Sequence, residues 1–372
     1  MRTSPRSTTR RSRLCCSAAL LAAARASMGE DRLPSAEYGS GASGQSAAVA
    51  FLRRPASYPE KTDRVEVKET HMSWVFLTDR HAYKLKKPVR NDFLDFGTAA
   101  LRRHFCEEEL RLNRRLAPEV YLEVVPLTAA ADGSLQLGGS GRPVDWLVKM
   151  RRLRSDRMLD NAIRAATLLP TEIDALAGCL TAFYRSAPRI GISGGEYRRR
   201  MHEGIEANRV ELARCCPPSM AASIRSVTEA QEHYVAAHPE TFDRRTEKGC
   251  IVEGHGDLRP EHVYLGPPPQ IIDCLEFNRG FRSLDIADDL ALLAVECDQL
   301  GAPEVGTALF RIQEVNDAPP DLIAFYKSYR ATLRAKLAIW HLKDAHVADP
   351  GAWEDRAGRY LDLADRVRRR SF

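Results

Sequence analysis

Residues 255–273 read HGDLRPEHVYLGPPPQIID, and this stretch decides how the whole chain is interpreted. Two aspartates, Asp257 and Asp273, lie 16 residues apart with a Gly-Pro-Pro-Pro turn at 266–269 between them. Short apolar runs flank the turn on both sides, which is typical of a hairpin. We therefore predict a loop that ends at Asp257, followed by a hairpin whose second strand brings Asp273 beside it.

Such a pair of carboxylates fits the transfer of a phosphoryl group. One can orient an acceptor hydroxyl and take its proton, while the other holds Mg²⁺ on nucleotide phosphates. The stretch has the HxDxxPE pattern of eukaryotic-like kinases, and its His-Gly-Asp form resembles the aminoglycoside phosphotransferase family. The resemblance implies that Asp257 is the catalytic base, that His255 shapes its loop, and that Asp273 binds the metal. The alternative is a polar loop whose aspartates serve only turns.

Two apolar runs upstream, Trp74–Leu77 and Ala82–Leu85, predict another hairpin. Because side chains alternate along a strand, Lys84 and Lys86 share one face of the second run. The Ala-Tyr-Lys sequence ending at Lys84 matches in position the strand that carries the nucleotide-binding lysine of kinases, so Lys84 is the first choice as phosphate anchor. Lys86 is a rival, since the Leu-Lys pair that it ends fits the phosphotransferase strand nearly as well. The alternative for Lys84 and Lys86 is that they belong to a basic strand end exposed to solvent.

A helix should follow that hairpin, because one face repeats at helical spacing through Phe105, Glu109, Leu112 and Leu116. An unpaired carboxylate at an inward position would be costly. We therefore expect Glu109 to pair with a lysine of the preceding strand, as in the kinase fold, where such a pair positions nucleotide phosphates.

The sequence DIADDLA at 285–291 opens another predicted helix. In the phosphotransferase family an aspartate before Leu-Ala is buried under the catalytic loop and accepts its backbone amides. The resemblance assigns that role to Asp289 and matches Asp285 to the aspartate four residues earlier. Acidic residues are also favoured at a helix N-terminus by the helix dipole, and both interpretations can hold together.

The resemblance covers roughly residues 49–340. Within this range the sequence is similar to a branch of bacterial proteins described only as aminoglycoside phosphotransferase-like. Beyond the motifs above, it includes residues 69–77, 93–96, 106–118, 273–278 and 329–336. Some members of this branch carry a fused P-loop ATPase domain. No GxxxxGK[ST] motif occurs here, so the sequence resembles the kinase-like part standing alone.

Two positions depart from the kinase pattern. His262 occupies the place of the Mg-binding asparagine, and imidazole suits transition metals better than Mg²⁺. Asp273 would then carry the metal with water and phosphate, or His262 would be an unusual ligand. The phosphate-covering loop at Thr70–Ser73 also lacks glycines. Antibiotic phosphotransferases use a serine and backbone amides there, so Ser73 is a further nucleotide-binding candidate.

The implied fold is α+β and protein-kinase-like, with two lobes. We place a small β-rich N-lobe at 49–153, a hinge near Arg151–Leu153, and a larger, mainly helical C-lobe at 154–372; a chain of 372 residues suits two such lobes. Residues 1–48 are predicted to be a disordered or mis-assigned extension. Their Arg-rich and apolar start resembles a signal or transit peptide. An initiator at Met28 is favoured instead, because an ATP-using enzyme belongs in the cytoplasm.

Composition excludes several classes of protein. The net charge is +5, but residues 1–28 contain six arginines and no acid, so the remainder is nearly neutral and argues against a nucleic-acid platform. No segment approaches the roughly 18 apolar residues of a membrane span. Nine cysteines without a CxxC motif indicate reduced thiols rather than a disulfide framework or zinc ribbon.

The sequence predicts an ATP- and Mg²⁺-dependent phosphotransferase with an unidentified small-molecule hydroxyl acceptor. Two alternatives stay open. One is a nucleotide-binding regulator that has lost efficient transfer, as His262 suggests. The other is a transition-metal hydrolase whose ligands are His255, Asp257, His262 and Asp273. Three further cations beside a predicted apolar helix stripe are surface charges or acceptor contacts: Arg330, Arg334 and Lys336.

Overall fold

The computed structural model describes residues 42–91, 94–312, 317–343 and 349–372. Within these ranges the chain forms a smaller lobe around an antiparallel sheet and a larger lobe made mainly of helices, which confirms the predicted two-lobed α+β fold. Most of the predicted N-terminal extension, residues 1–41, lies outside the described residues, as does Phe93.

The smaller lobe contains two α-helices and eight strands among the described residues. Its helices are α1 (Ala42–Leu52) and α2 (Ala99–Asn113). Its strands are β1 (Glu66–Glu69), β2 (Ser73–Leu77), β3 (His81–Lys86), β4 (Arg90–Asn91), β5 (Leu94–Asp95), β6 (Tyr121–Ala129), β7 (Leu135–Leu137) and β8 (Arg142–Arg151). Helix α1 begins at Ala42, so ordered structure crosses the limit that we predicted between residues 48 and 49.

The larger lobe supplies the other elements. Its helices are α3 (Leu159–Arg164), α4 (Pro170–Ser186), α5 (Gly194–Cys215), α6 (Ala221–Ala237), α7 (Pro239–Glu247), α8 (Arg279–Arg282), α9 (Ile286–Gln299), α10 (Pro303–Leu309), α11 (Pro320–Trp340) and α12 (Pro350–Ser371). Its strands are β9 (Ile251–Glu253), β10 (Val263–Tyr264), β11 (Gln270–Ile271) and β12 (Ser283–Asp285). None of the helices in the described ranges is long and apolar enough to cross a membrane.

The six-stranded sheet of the smaller lobe has the order β1-β2-β3-β8-β6-β7. Strands β2 and β3 form the predicted upstream hairpin, with Phe76 opposite Tyr83. Strand β3 pairs on its other side with β8, which ends at the predicted hinge. Strand β3 therefore carries both lysines in the middle of the sheet, where β2 and β8 hold its backbone on either side.

The two faces of this sheet are covered by different helices. Helix α1 packs Ala48 and Leu52 on the face that carries Tyr83 and Leu85. Helix α2 packs Cys106 against the opposite face, on the side of Ala82. Residues of β3 alternate between the faces, so Lys84 and Lys86 lie on the α2 side, as the period of a strand requires.

Helix α2 begins at the N-cap Thr98, whose hydroxyl accepts a hydrogen bond from the amide of Leu101. Its buried face includes Glu109 and Leu112, as predicted, but Phe105 is only partly buried. The helix ends at Asn113, and Leu116 is buried in the turn that follows it. The helical spacing thus predicted the inward face correctly, but it extended the helix beyond its end at Asn113.

The segment 251–299 forms the centre of the larger lobe. Strand β9 pairs with β12, and the loop between β9 and β10 passes over the N-terminus of α9, whose described side chains are buried along most of its length. Leu258, in the middle of the loop, is fully buried in the main apolar core. Burial of such a side chain contributes about 1.5–3 kcal/mol, so the loop is anchored by packing as well as by hydrogen bonds.

Candidate functional site

The predicted hairpin after the His-Gly-Asp loop is present. Strands β10 and β11 are antiparallel, with Val263 opposite Ile271, and the turn between them contains a cis peptide bond at Pro267-Pro268. Asp273 follows β11 directly, and the amide of Ile272 donates to the carbonyl of His262. The hairpin therefore places Asp273 against the residues that follow Asp257, as the spacing predicted.

Residues 254–262, named the catalytic loop after their predicted role, are held by Asp289 of α9. Its carboxylate accepts hydrogen bonds from the amides of His255 (2.7 Å) and Gly256 (3.0 Å), and from the hydroxyl of Tyr184 (3.0 Å). Gly256 has φ +84°, and a Cβ there would meet the Leu275 side chain and the Phe281 carbonyl at 3.1 Å. The tight turn thus requires a glycine, and Asp289 has the position that the family resemblance assigned to it.

Asp285 is the N-cap of α9, which agrees with the interpretation that acids are favoured at this helix N-terminus. It caps α9 through the amide of Ala287 and forms a two-pronged ion pair with Arg245, with N–O distances of 2.8 and 2.6 Å. The described contacts of its side chain do not include the amides of the catalytic loop. Asp285 therefore fixes the start of α9 and supports the loop only through Asp289, four residues further along the helix.

His255 is fully buried, as expected for a residue that shapes the loop. Its Nε2 lies 3.0 Å from the Ile272 carbonyl, and its Nδ1 faces the amide of Asp257 at 3.3 Å. These partners require the proton on Nε2. Burial lowers the pKa of His255 to about 4, so the ring is neutral near pH 7. His255 joins the loop to the hairpin and does not face the cleft.

Asp257 presents a side chain that is 25% exposed beside the cationic Arg259, whose Nε lies 3.1 Å from its Oδ2. Burial would raise the pKa of Asp257, but Arg259 and then His262 outweigh it and hold the pKa below its usual value. The carboxylate is therefore ionised at neutral pH and able to accept a proton. Arg259 was not singled out in the sequence, where it is only the second residue after the aspartate.

Asp273 is the more exposed of the two aspartates, with 43% of its side chain accessible. Its Oδ1 lies 2.6 Å from the Nζ atom of Lys84. Burial would raise its pKa, but Lys84 and then His262 hold the pKa well below the ordinary value. The residue adopts φ +64°, a conformation that is unusual for a side chain with a Cβ.

Both lysines of β3 pair with Glu109, so the two candidates of the sequence interpretation are not exclusive. Lys84 Nζ lies 2.9 Å from Oε1 of Glu109, and Lys86 Nζ lies 2.6 Å from Oε2. Lys86 also forms an ion pair with Glu276, which sequence reasoning missed although it lies in one of the resembling segments. Lys84 reaches towards Asp273 and is 15% exposed at its side chain, whereas Lys86 is 1% exposed.

The same charges keep Glu109 ionised in a fully buried position. Burial alone would raise its pKa, but Lys84 and Lys86 together hold the pKa below the usual value. A buried carboxylate with two cationic partners avoids the large cost of an isolated charge. The solvated-strand alternative for the lysines is therefore wrong.

His262 lies at the junction of the two aspartates. Its Nδ1 donates to the Asp257 carbonyl at 2.9 Å, which leaves its Nε2 on the other side of the ring. That Nε2 is 3.0 Å from Nη2 of Arg259 and 3.5 Å from Oδ2 of Asp273. His262 therefore braces the catalytic loop.

The four residues of the hydrolase alternative do not form a metal centre, because both ring nitrogens of His255 are bonded to backbone atoms. Among the described residues there is no group of three or more histidine, cysteine, aspartate or glutamate side chains that could hold a metal ion.

The covering loop, residues 70–73, is bonded mainly to itself. The Thr70 hydroxyl oxygen accepts from the amides of Met72 (3.3 Å) and Ser73 (3.0 Å), and it lies 3.0 Å from the Ser73 hydroxyl. Ser73 is only 3% exposed. The Ser73 hydroxyl and these two amides are thus engaged within the loop, and the nucleotide-binding role of Ser73 stays a prediction. At the tip of the loop His71 contacts His341 of the larger lobe, with ring nitrogens 3.3 Å apart.

The three cations of the α11 stripe are largely buried, so they are not surface charges. Arg330 binds Asp288 with two contacts of 2.6 Å. Arg334 donates to Glu296 at 2.6 Å, and Lys336 lies over the ring of Trp340. The carboxylate partners of the two arginines belong to α9, so these pairs fasten α11 to the helix that supports the catalytic loop.

No family model matches the sequence. Uncharacterized proteins of Mycobacterium bovis and Mycobacterium tuberculosis are 35% identical to it over 282 residues, which is 73% of this chain and 54% of each relative. The chain thus spans about half the length of the curated relatives it matches.

Solved structures with a similar fold include the GDP complex of a mutant aminoglycoside 2'-phosphotransferase-IIIa, with a TM-score of 0.53 at 14% identity over 86% of this chain and 97% of that chain. A thermostable mutant of aminoglycoside phosphotransferase APH(4)-Ia, in a ternary complex with AMP-PNP and hygromycin B, gives 0.52 at 12% identity over 87% and 98%. At such identities the likeness concerns the fold.

Proposed function

We propose that this chain, which has the aminoglycoside phosphotransferase-like form of the two-lobed kinase fold, transfers the γ-phosphoryl group of ATP to a hydroxyl group of a small molecule. The contact of Lys84 with both Glu109 and Asp273 carries the proposal. It places a cation from the smaller lobe and an ionised carboxylate from the larger lobe together, beside a loop with a second ionised carboxylate. Phosphoryl transfer depends on such positioning and charge more than on covalent chemistry.

The residues fit a magnesium nucleotide. Mg²⁺ is usually held by one or two carboxylates together with phosphate oxygens and water, and Asp273 offers a partly exposed, ionised carboxylate. His262 is a poorer ligand for this hard cation. Lys84 is the better phosphate anchor, since it is more exposed than Lys86, which is buried between two carboxylates. When bound, Mg²⁺ would neutralise part of the negative charge on the transferred group.

Asp257 is the proposed general base. Its ionised carboxylate would hydrogen-bond the acceptor hydroxyl, orient its oxygen towards the γ-phosphorus and take the proton as the new O–P bond forms. The bond between the γ-phosphorus and the bridging oxygen breaks, and ADP leaves with that oxygen. Arg259, beside Asp257, can face the negative charge of the phosphoryl group. His255, Asp289 and Asp285 would hold this geometry without touching the reactants.

A nucleotide-binding regulator without efficient transfer is the second candidate. The observation that favours it is His262, which places an imidazole where kinases have an oxygen ligand and which contacts the backbone of Asp257. The covering loop adds to this, because its amides are occupied by Thr70. Binding of nucleotide without Mg²⁺ and without turnover would support this function over the first.

The experiment combines binding and turnover on the same variants. Calorimetric titration with ATP, with and without Mg²⁺, is followed by transfer of labelled phosphate to a panel of hydroxylated sugars, amino alcohols and aminoglycosides. We expect Asp257→Ala to bind Mg-ATP but to lose on the order of 10²–10⁴ in rate, as removal of a general base does. Lys84→Met should weaken nucleotide binding.

Asp174→Ala, at an exposed position on α4, is the matched control. Full activity of Asp257→Ala would contradict the proposal, as would a wild-type protein that binds no nucleotide.

A further inference from the structure

We infer that Asn113 and Tyr121 are positioning residues for Asp273: two side chains of the smaller lobe receive successive backbone amides of the larger lobe and so set the direction of its carboxylate. The inference rests on the proposed function, because it assigns these residues to the metal-binding step. Neither residue was a candidate in the sequence. The described hydrogen bonds of the two side chains go to backbone atoms and not to Asp257 or Lys84.

Asn113 is the last residue of α2 and is fully buried. Its Oδ1 accepts a hydrogen bond from the amide of Cys274 at 2.9 Å, and its Nδ2 donates to the carbonyl of Glu109 at 2.8 Å. One side chain therefore joins the backbone of the glutamate that pairs with Lys84 to the residue that follows Asp273. Both polar atoms of this amide are bonded, and the two contacts fix its orientation.

Tyr121 is the first residue of β6 and is 1% exposed. Its hydroxyl oxygen accepts from the amide of Asp273 itself at 3.1 Å. Burial raises the pKa of Tyr121 well above its usual value, so the hydroxyl stays neutral at any working pH. The preceding amide, that of Ile272, is held within the larger lobe by the His262 carbonyl. The backbone thus changes its partner from one lobe to the other at Asp273.

The conformation of Asp273 makes these two contacts consequential. Its φ of +64° lies in the left-handed region, which is unfavourable for a residue with a Cβ and persists only where the surroundings enforce it. Asn113 and Tyr121 supply acceptors for the amides on both sides of the Cα atom. If either acceptor is lost, the backbone can relax, and the carboxylate turns away from the direction in which Lys84 now meets it.

The geometry also couples two parts of the site. Helix α2 carries Glu109, which holds the phosphate lysine, and it ends with Asn113, which holds the metal aspartate. A shift of this one helix would move both groups together. The two charges proposed to bind a magnesium nucleotide are therefore both linked to α2, and β6 adds the contact from Tyr121.

The test measures how much Mg²⁺ is needed for half-maximal ATP binding. Tyr121→Phe removes one acceptor and keeps the ring, and Asn113→Leu removes the other with little change in size. We expect both to require about 5- to 10-fold more Mg²⁺, the effect of one lost hydrogen bond. ATP binding without metal should change less than about twofold, since Lys84 remains paired with Glu109.

Tyr58→Phe is the control for a merely structural effect. Tyr58 is a buried tyrosine of the same lobe whose hydroxyl donates to the Leu52 carbonyl at 2.6 Å, away from the site. It should lose stability without a change in the Mg²⁺ requirement. Equal Mg²⁺ requirements in wild type, Tyr121→Phe and Asn113→Leu would overturn the inference and leave the proposed function standing. If Asn113→Leu does not fold, Tyr121→Phe decides alone. A wild type that binds no magnesium nucleotide would overturn both.

Discussion

The catalytic loop and the covering loop belong to different lobes, and their amides are held in different ways. The catalytic loop gives its amides to Asp289, a buried carboxylate on a helix more than thirty residues away. The covering loop gives its amides to its own Thr70. The backbone of the first loop is therefore fixed by a distant helix, whereas that of the second is held mainly by neighbouring residues, with one contact from His71 to His341 of the larger lobe.

Burial follows the same division. His255 and Asp289 are almost inaccessible to water, whereas His71 and Met72 are exposed. A segment with few buried contacts opens at low free-energy cost, while one tied into the core opens only with much of the domain. The comparison teaches that the loop of the proposed base should be fixed before any ligand arrives. The covering loop can change its hydrogen-bond partners, which the proposed contact with nucleotide would require.

The largest effect on the difference between the two loops is expected from the removal of the Asp289 carboxylate. In Asp289→Ala the amides of His255 and Gly256 lose their acceptor in a buried place, and we expect a loss of roughly 2–6 kcal/mol in the free energy of unfolding, since each stranded group costs about 1–3 kcal/mol. Urea unfolding measures this. Tyr184→Phe removes only the third partner of the carboxylate and should cost about 1 kcal/mol. A loss no larger in Asp289→Ala than in Tyr184→Phe would mean that the loop is held by other contacts.

A second prediction uses the pKa of His255, which burial lowers to about 4. The unfolded chain has a histidine pKa near ~6.5 and binds more protons than the folded state below that pH. The stability that His255 contributes is thus fully present above pH ~6.5 and is lost as the pH falls towards about 4, by roughly 3 kcal/mol in all.

Between pH ~6.5 and ~5 most carboxylates are still ionised, so this interval isolates histidine. His255→Gln should flatten the dependence of the unfolding free energy on pH there. An unchanged slope in this variant would show that the acid sensitivity comes from elsewhere.

The smallest effect is expected in the covering loop. Thr70→Val keeps the shape of the side chain but frees the amides of Met72, which is exposed, and of Ser73, which is buried, so stability should fall by about 1–2 kcal/mol. ATP affinity should rise by a few-fold, because the freed amides no longer have an internal competitor for phosphate.

Ser73→Ala is the matched variant, since it leaves Thr70 bonded to both amides, and it should show no gain in affinity. A loss of ATP affinity in Ser73→Ala would restore the serine to the phosphate-binding role predicted from the sequence.

The sequence could predict those parts of the site that depend on local periodicity. The turn at 266–269 and the apolar runs around it are a complete hairpin signal, so the approach of Asp273 to the loop of Asp257 could be deduced. The alternation along β3 correctly placed Lys84 and Lys86 on one face. The alternation could not show how deeply that face is buried. Lys84 and Lys86 were therefore treated as alternative phosphate anchors, although both pair with Glu109.

The remaining errors concern contacts between distant residues and the chemistry of a turn. Asn113 and Tyr121 meet the Asp273 segment across 161 and 152 residues, and no local pattern contains that information. Asp285 has Arg245 as its partner because the helix start lies beside α7, which again depends on the tertiary fold. At Ser73 a local signal was present, since a threonine three residues earlier can accept the loop amides. The sequence motif alone does not show that this threonine would compete with a phosphate for them.

Helix α1 has a practical consequence for where a functional protein can be trimmed. Gln45 is 3% exposed, and its amide nitrogen donates to the Lys86 carbonyl at 2.9 Å, while Ala48 packs into the small-lobe core. A shortened protein that starts at residue 49 would keep every motif recognisable in the sequence, yet it would lose the support behind the lysine strand. Tolerance to truncation follows the burial and bonding of the removed backbone rather than motif boundaries.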